Sequence, residues 1–437
     1  MKLFGTMDID KEELYIGGVS CTHLCKNFGT PLYVMDETLI REKCKKYYKA
    51  FGLEKGINKV AYAGKAFLTI AMCQVINEEG LNLDVVSGGE LFTAYKSDFP
   101  MEKILFHGNN KTVEEIKMGI ELKVGIFVVD NFYEMEKINE IAKVNNRIQK
   151  VFLRITPGIE AHTHEYIKTG QIDSKFGFNL INDDVINAVK KSIEFPNIEL
   201  VGLHAHIGSQ IFEVKPYEDE VDVMLSLIKD IKEKTGHEIK ELDLGGGFGI
   251  YYTEGDEPRK IEDFCNIILK KAEEKAEELA MNLPTLIIEP GRSIIGNAGS
   301  TLYTIGAIKN IEGIRKYVSV DGGMTDNVRP SLYHAEYECT IANKMNDNSN
   351  EKVTIAGKCC ESGDILIKDV EIPKVVSGDI LAVASTGAYG YSMSSNYNKT
   401  QKPAVVFVSH GNAKLVCRRQ SYEELIENEI KLPIKES

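Results

Sequence analysis

Val60-Ala-Tyr-Ala-Gly-Lys-Ala-Phe-Leu68 runs from one apolar segment into another with a single charge between them. NKVAYA (58–63) reads as a buried strand and AFLTIAMCQVI (66–76) as a buried helix, joined only by Gly64 and Lys65. A strand passing directly into a helix is half of a βαβ unit, the repeat from which parallel sheets are built. A lysine at a strand end ordinarily snorkels to water. Held among apolar neighbours instead, an ammonium loses hydration, its pKa falls and the amine becomes a better nucleophile toward carbonyl groups.

Working outward, the same rhythm recurs. Short apolar runs at 81–86, 103–107, 124–129, 151–156, 199–207, 240–245 and 284–289 follow the first, making eight candidate strands. Segments of helical period separate them, among them TVEEIKMGIEL, FYEMEKINEIAKVNN and IEDFCNIILKKAEEKAEELA. Continuous apolar strands alternating with helices imply a parallel sheet buried on both faces. Eight units in about 250 residues is the size of a (β/α)8 TIM barrel, although an open doubly wound sheet has the same periodicity. After residue 292 the runs become short and bounded by Gly, Asn, Asp or Pro, which reads as an antiparallel β-domain. The expected division is a barrel over 37–292 and a β-domain from 1–36 with 293–437, to which GTPLYVMD contributes a strand.

Composition narrows the function. A net charge of -13 argues against nucleic acid and anionic membranes as partners. No run approaches the roughly 20 apolar residues of a membrane helix. The start MKLFGTMDIDKEELYIG lacks the apolar core of a signal peptide, and the nine cysteines contain no C-x-x-C, so reduced thiols in the cytoplasm are expected.

In a barrel, chemistry gathers where strands end. Lys65 follows strand one, Ser87-Gly88-Gly89-Glu90 strand two and His107 strand three, and Arg154 lies near the end of strand five. His204 and His206 lie in strand six with Ser209 beyond; Gly245, Gly246 and Gly247 open the loop after strand seven, and Glu289-Pro290-Gly291-Arg292 close strand eight. The run GGGFG is neither a dinucleotide fingerprint nor a Walker loop. A tight turn would account for it, but glycines after strand seven with an arginine after strand eight occupy a barrel's usual phosphate site. His204-Ala-His206, like His162-Thr-His164, also fits the paired zinc ligands of an amidohydrolase barrel, though no third ligand is evident; histidines satisfied by core hydrogen bonds are the ordinary alternative. Glu289 ends an apolar run, and a carboxylate there needs a cation or a strong donor. A reactive lysine, a phosphate site and an acid for a pyridine nitrogen are the three handles of pyridoxal phosphate.

With these residues in place, the order YAGKA, DVVSGGEL, HIGSQ, DLGGGFG, EPGRS, CCESGD and GAYG resembles the alanine-racemase-fold (fold type III) pyridoxal-phosphate decarboxylases, and most of all the diaminopimelate decarboxylases, from GTPLYV (29–34) to RRQSYEEL (418–425). The resemblance implies decarboxylation of meso-2,6-diaminopimelate to L-lysine, the last step of lysine biosynthesis. It implies that Lys65 holds the cofactor, that His206 stacks on its ring, that Ser209, Gly245, Gly246 and Gly247 bind its phosphate beside Gly291, and that Glu289 pairs with the ring nitrogen. Tyr389 would reach the cofactor or substrate; Arg292, Arg329 and Tyr333 would hold a substrate carboxylate. Cys360, as proton donor, and Glu361, facing a substrate ammonium, would come from the opposite subunit of a homodimer. Racemases of similar architecture carry an arginine where Glu289 stands, so the glutamate favours decarboxylation. Other expectations of the same chemistry are ornithine, lysine, arginine or a carboxylated polyamine such as carboxynorspermidine as substrate; a cofactor carrier of this fold would lack the β-domain.

Overall fold

The computed structural model describes residues 1–159 and 173–433. The chain divides into two compact units, residues 40–296 and residues 1–39 with 297–437. In the first, all eight apolar runs are strands: β1 (Lys59–Ala63), β2 (Asn82–Val85), β3 (Ile104–Phe106), β4 (Ile126–Val129), β5 (Gln149–Thr156), β6 (Ile198–Ala205), β7 (Glu241–Asp243) and β8 (Thr285–Ile288). Each pairs in parallel with the next, and β8 pairs with β1, so the sheet closes into a barrel and is not an open doubly wound sheet.

Helices α1 (Ile70–Glu78), α2 (Gly88–Lys96), α3 (Val113–Glu121), α4 (Phe132–Val144), α5 (Asp184–Glu194), α6 (Lys215–Thr235), α7 (Ile261–Glu278) and α8 (Arg292–Ile295) follow the strands in turn. The sequence marks where the first four begin. Thr69, Ser87, Thr112 and Asn131 each accept a backbone N–H of the first turn, and Glu115 reaches back to Thr112 to complete a capping box. These caps fix the loops at the end of the barrel where the polar residues gather.

Inside the barrel, Ala61, Leu105, Ile126, Val128, Phe152, Val201 and Ile287, from six different strands, form one buried cluster. Residues from that many strands of a closed sheet meet only in its interior, which is a packed core. Phe152 is fully buried and lies against Gly202, where a Cβ would sit 2.4 Å from its ring.

The second unit contains GTPLYVMD as expected, with strand Leu32–Asp36 inside its sheet. The expected antiparallel pairing holds for most of that sheet. Two pairings are parallel, Leu32–Asp36 with Ala404–Ser409 and Arg315–Val320 with Glu351–Ala356, so the sheet is mixed. The N-terminal segment thus adds a strand to a sheet otherwise built from the C-terminal part of the chain, a pairing that local periodicity does not encode. All nine cysteines are free thiols. No helix among the described residues is long and apolar enough to cross a membrane.

Because Phe152 fills the barrel core against a glycine, Phe152→Ala should cost about 3–5 kcal/mol. Chemical denaturation measures it, and an unchanged midpoint would contradict the packing.

Candidate active site

Glu289 sits immediately after β8 and is almost completely buried. Its Oε2 lies 3.2 Å from His204 Nε2, and its Oε1 lies 2.7 Å from His107 Nε2. His107 meets Oε1 as an ion-pair contact, and no other donor among the described residues reaches that oxygen. The two imidazoles meet edge to face, ring centroids 4.8 Å apart. His107 Nε2 is also 3.7 Å from Asp84 Oδ1 at the end of β2. Burial alone would push the Glu289 carboxyl up, but the histidines at its two oxygens outweigh it and hold the group well below the usual carboxylate range. His204 is pushed the other way, to about 3, by burial. It is therefore a neutral imidazole whose Nε2–H donates to Glu289.

Lys65 lies on the short turn Gly64–Ala66 between β1 and α1 and is half-buried. Gly64 lets that turn lie against β2, since a Cβ there would be 2.8 Å from the Asp84 carbonyl oxygen, and Tyr62 Oη donates to the Phe67 carbonyl at 2.8 Å to hold its far side. The ammonium of Lys65 acts on the charges of Asp84, Glu90 and His206, which places it at the same barrel mouth. Burial first, and Lys65 next, hold His206 well below its ordinary value, so its ring is neutral. His206 Nδ1 accepts the Gly246 backbone N–H at 3.3 Å.

The glycine loop is packed too closely for side chains. A Cβ on Gly246 would fall 2.1 Å from the Glu289 carbonyl oxygen, and one on Gly247 2.3 Å from that of Gly208. Gly247 also has φ +99, a conformation that favours glycine. Beside this loop Arg292 donates to Ser209 Oγ at 2.8 and 3.3 Å and to Tyr252 Oη at 2.6 Å. The loops after β6, β7 and β8 are thereby drawn together around a buried guanidinium, a setting suited to an anion. Gly291 packs its Cα face against Ala63 and Ala66, beside Lys65.

The other expected residues lie in the β-domain unit. Arg329 begins the short helix Arg329–Tyr333, is buried and donates to Tyr337 Oη; Tyr333 is half-buried. Ser331 Oγ donates to the Gly363 carbonyl at 2.9 Å, which ties this helix to the turn carrying Cys360 and Glu361, both exposed. Asp364 stiffens that turn by accepting the N–H groups of Met324 at 2.6 Å and Cys359 at 2.8 Å. Cys359 is half-buried, with its thiol pushed up to about 11 mainly by burial, whereas Cys360 is open to solvent. Tyr389 is half-buried at φ +63, a backbone conformation that is uncommon for a tyrosine and is enriched at functional sites.

Sequence reasoning missed Asp84, Asp243 and Tyr252. The two acids stand inside apolar runs, NLDVV and ELDLG, and a polar residue at an inward strand position near the C-terminal end was the available signal. The H-x-H reading does not hold for His204 and His206, whose rings serve different partners. The groups that converge are His107, His204, Asp243 and Glu289, with one polar atom from each within 4.8 Å of the others. His162 and His164 lie outside the described residues.

These residues fit pyridoxal phosphate. An ionised carboxylate with an orphaned oxygen suits a ring N–H, a neutral imidazole lies close by, the glycine loop suits a phosphate and Lys65 suits the aldehyde. Similarity to known proteins agrees. The sequence model of the family described as pyridoxal-dependent decarboxylase, pyridoxal binding domain, matches residues 37–296. The diaminopimelate decarboxylase of Bacillus subtilis is 49% identical over 423 residues, covering 97% of this chain and 96% of that protein. That of Halalkalibacterium halodurans is 50% identical over 427 residues, covering 98% and 97%. The crystal structure of diaminopimelate decarboxylase from M. jannaschii in complex with L-lysine superposes with a TM-score of 0.91 at 37% identity, covering 98% of each chain. The chain belongs to the pyridoxal-dependent decarboxylases and, among them, to the diaminopimelate decarboxylases.

Proposed function

We propose that this chain decarboxylates meso-2,6-diaminopimelate to L-lysine and CO2, with pyridoxal phosphate as its cofactor. The observation that carries the reading is Glu289, a buried carboxylate kept ionised by two histidines with one oxygen left for a further donor. An acid so held keeps a pyridine nitrogen protonated. Bound there, the cofactor supplies an electron sink for the pair left behind when a carboxylate departs as CO2.

The chain's own residues divide the remaining work. Lys65 would hold the cofactor through its side-chain amine. His206, neutral and half-buried, would pack its face on the ring. Ser209, the loop of Gly245, Gly246 and Gly247, and Arg292 would gather around the phosphate, with Gly291 leaving room beside Lys65. The bonds of Arg292 to Ser209 favour this role over a direct hold on the substrate. Arg329 and Tyr333 hold the distal carboxylate of the substrate, Glu361 its distal ammonium, and Tyr389 closes against cofactor or substrate. Anchoring that far end would fix the orientation of the departing carboxylate. Cys360 returns a proton to the carbon that lost CO2. In this reading Cys360 and Glu361 come from the partner subunit of a homodimer. The relative crystallised with L-lysine supports a product of that class.

Two outcomes follow. Purified protein should turn over meso-diaminopimelate at least about 100-fold better in kcat/KM than ornithine or lysine, because a site built around a distal zwitterion rejects plain amine tails; equal rates on ornithine would contradict the assignment. Mixing inactive Lys65→Ala and Glu361→Ala chains should restore activity in the heterodimer. No recovery in mixed dimers shown to form would mean that each chain completes its own site.

A further inference from the structure

Asp243 ends β7, is fully buried and has no part in the roles above. Its two oxygens have different surroundings. Oδ1 accepts the backbone N–H of Gly245, the first glycine of the loop, at 2.9 Å. Oδ2 is buried and meets no donor. A carboxyl oxygen of Asp243 lies within 4.8 Å of a Glu289 oxygen, in the buried cluster completed by His107 and His204.

Two ionised carboxylates in such contact, away from water, repel strongly. One proton between them replaces that repulsion with a charge-assisted hydrogen bond. Placing the proton requires weighing every charged group facing the pair. Glu289 has imidazole at both oxygens, from His107 after β3 and His204 of β6. Asp84 of β2 faces His107, and Glu220 of α6 adds a buried acid whose oxygens have no partner. Arg154 of β5 is drawn toward Asp130 at 3.9 Å and lies over the Phe176 ring. Lys65 lies two residues beyond Ala63, the β1 residue paired with Asp84. As an anion Asp243 is favoured by one backbone N–H and by the charge of Arg154. Burial, and then the charge of Glu289, push its carboxyl well above the usual range.

We propose that Asp243 is a neutral carboxylic acid whose Oδ2–H donates to Glu289, a carboxylate with lone pairs enough to accept this bond, that of His204 and a ring N–H, making Asp243 the positioning residue that ties the glycine loop to the acid at the barrel mouth. The inference deepens the proposed function and rests on it for its consequence, since Asp243 then orients the Glu289 carboxylate toward the ring nitrogen. The hydrogen bond itself exists whether or not substrate is turned over.

The test compares full-length holoenzyme with Asp243→Asn and Asp243→Ala. Asparagine keeps an acceptor for Gly245 N–H and offers an N–H in place of the O–H. The infrared spectrum at neutral pH should contain a protonated-carboxyl stretch that Asp243→Asn removes, and this readout is independent of catalysis. Asp243→Asn should retain kcat/KM within a few-fold, whereas Asp243→Ala should lose on the order of 10-fold or more and shift the visible band of the bound cofactor. An infrared spectrum unchanged by Asp243→Asn would overturn the proposal, and so would an Asn variant as impaired as the Ala variant. If Asp243→Ala fails to fold, the infrared comparison with Asp243→Asn decides alone.

Discussion

A carboxylate that must stay charged inside a protein is the constraint on which the barrel mouth depends. Glu289 has no solvent to stabilise it, and an unpaired buried charge would cost several kcal/mol. Its partners come from strands far apart in sequence: His107 follows β3, His204 lies in β6 and Asp243 ends β7. Only a closed sheet brings those strand ends around one point. Closure of the barrel and ionisation of Glu289 are therefore linked, because opening the sheet would remove the imidazoles that keep the charge in place.

The same geometry explains the glycines. The backbone of the loop after β7 passes so close to the carbonyl oxygens of Glu289 and Gly208 that no side chain fits at Gly246 or Gly247. With Cβ atoms excluded, the loop lies close to these carbonyls, and the donors Arg292 and Ser209 stand beside it. One end of the site thus presents donors to an anion and the other presents an anion to a donor. A flat aromatic ring with a phosphate at one side and a basic nitrogen at the other spans that polarity.

Much of this was legible in the sequence. Every barrel strand shows as an apolar run, with segments of helical period between the runs. Closure was not legible, because periodicity is the same in open and closed parallel sheets. The parallel pairings of the second unit were hidden for a related reason: Leu32–Asp36 lies far along the chain from Ala404–Ser409, and local pattern carries no information about such partners. Glu289 stood out because it terminates a run. Asp84 and Asp243 did not, since an acid within an apolar strand is noticeable only once its inward side is known. The histidine pair misled for the opposite reason: two side chains spaced two apart along a strand share a face, but His204 and His206 diverge at the strand end, one toward Glu289 and the other toward the glycine loop.

The central claim is that the half-buried amine of Lys65 is where pyridoxal phosphate is held. The purified protein should show a yellow absorption band that borohydride bleaches, and mass mapping of the reduced protein should find the cofactor on the peptide containing Lys65. A protein that stays colourless with added pyridoxal phosphate, or an adduct confined to other lysines, would contradict the account.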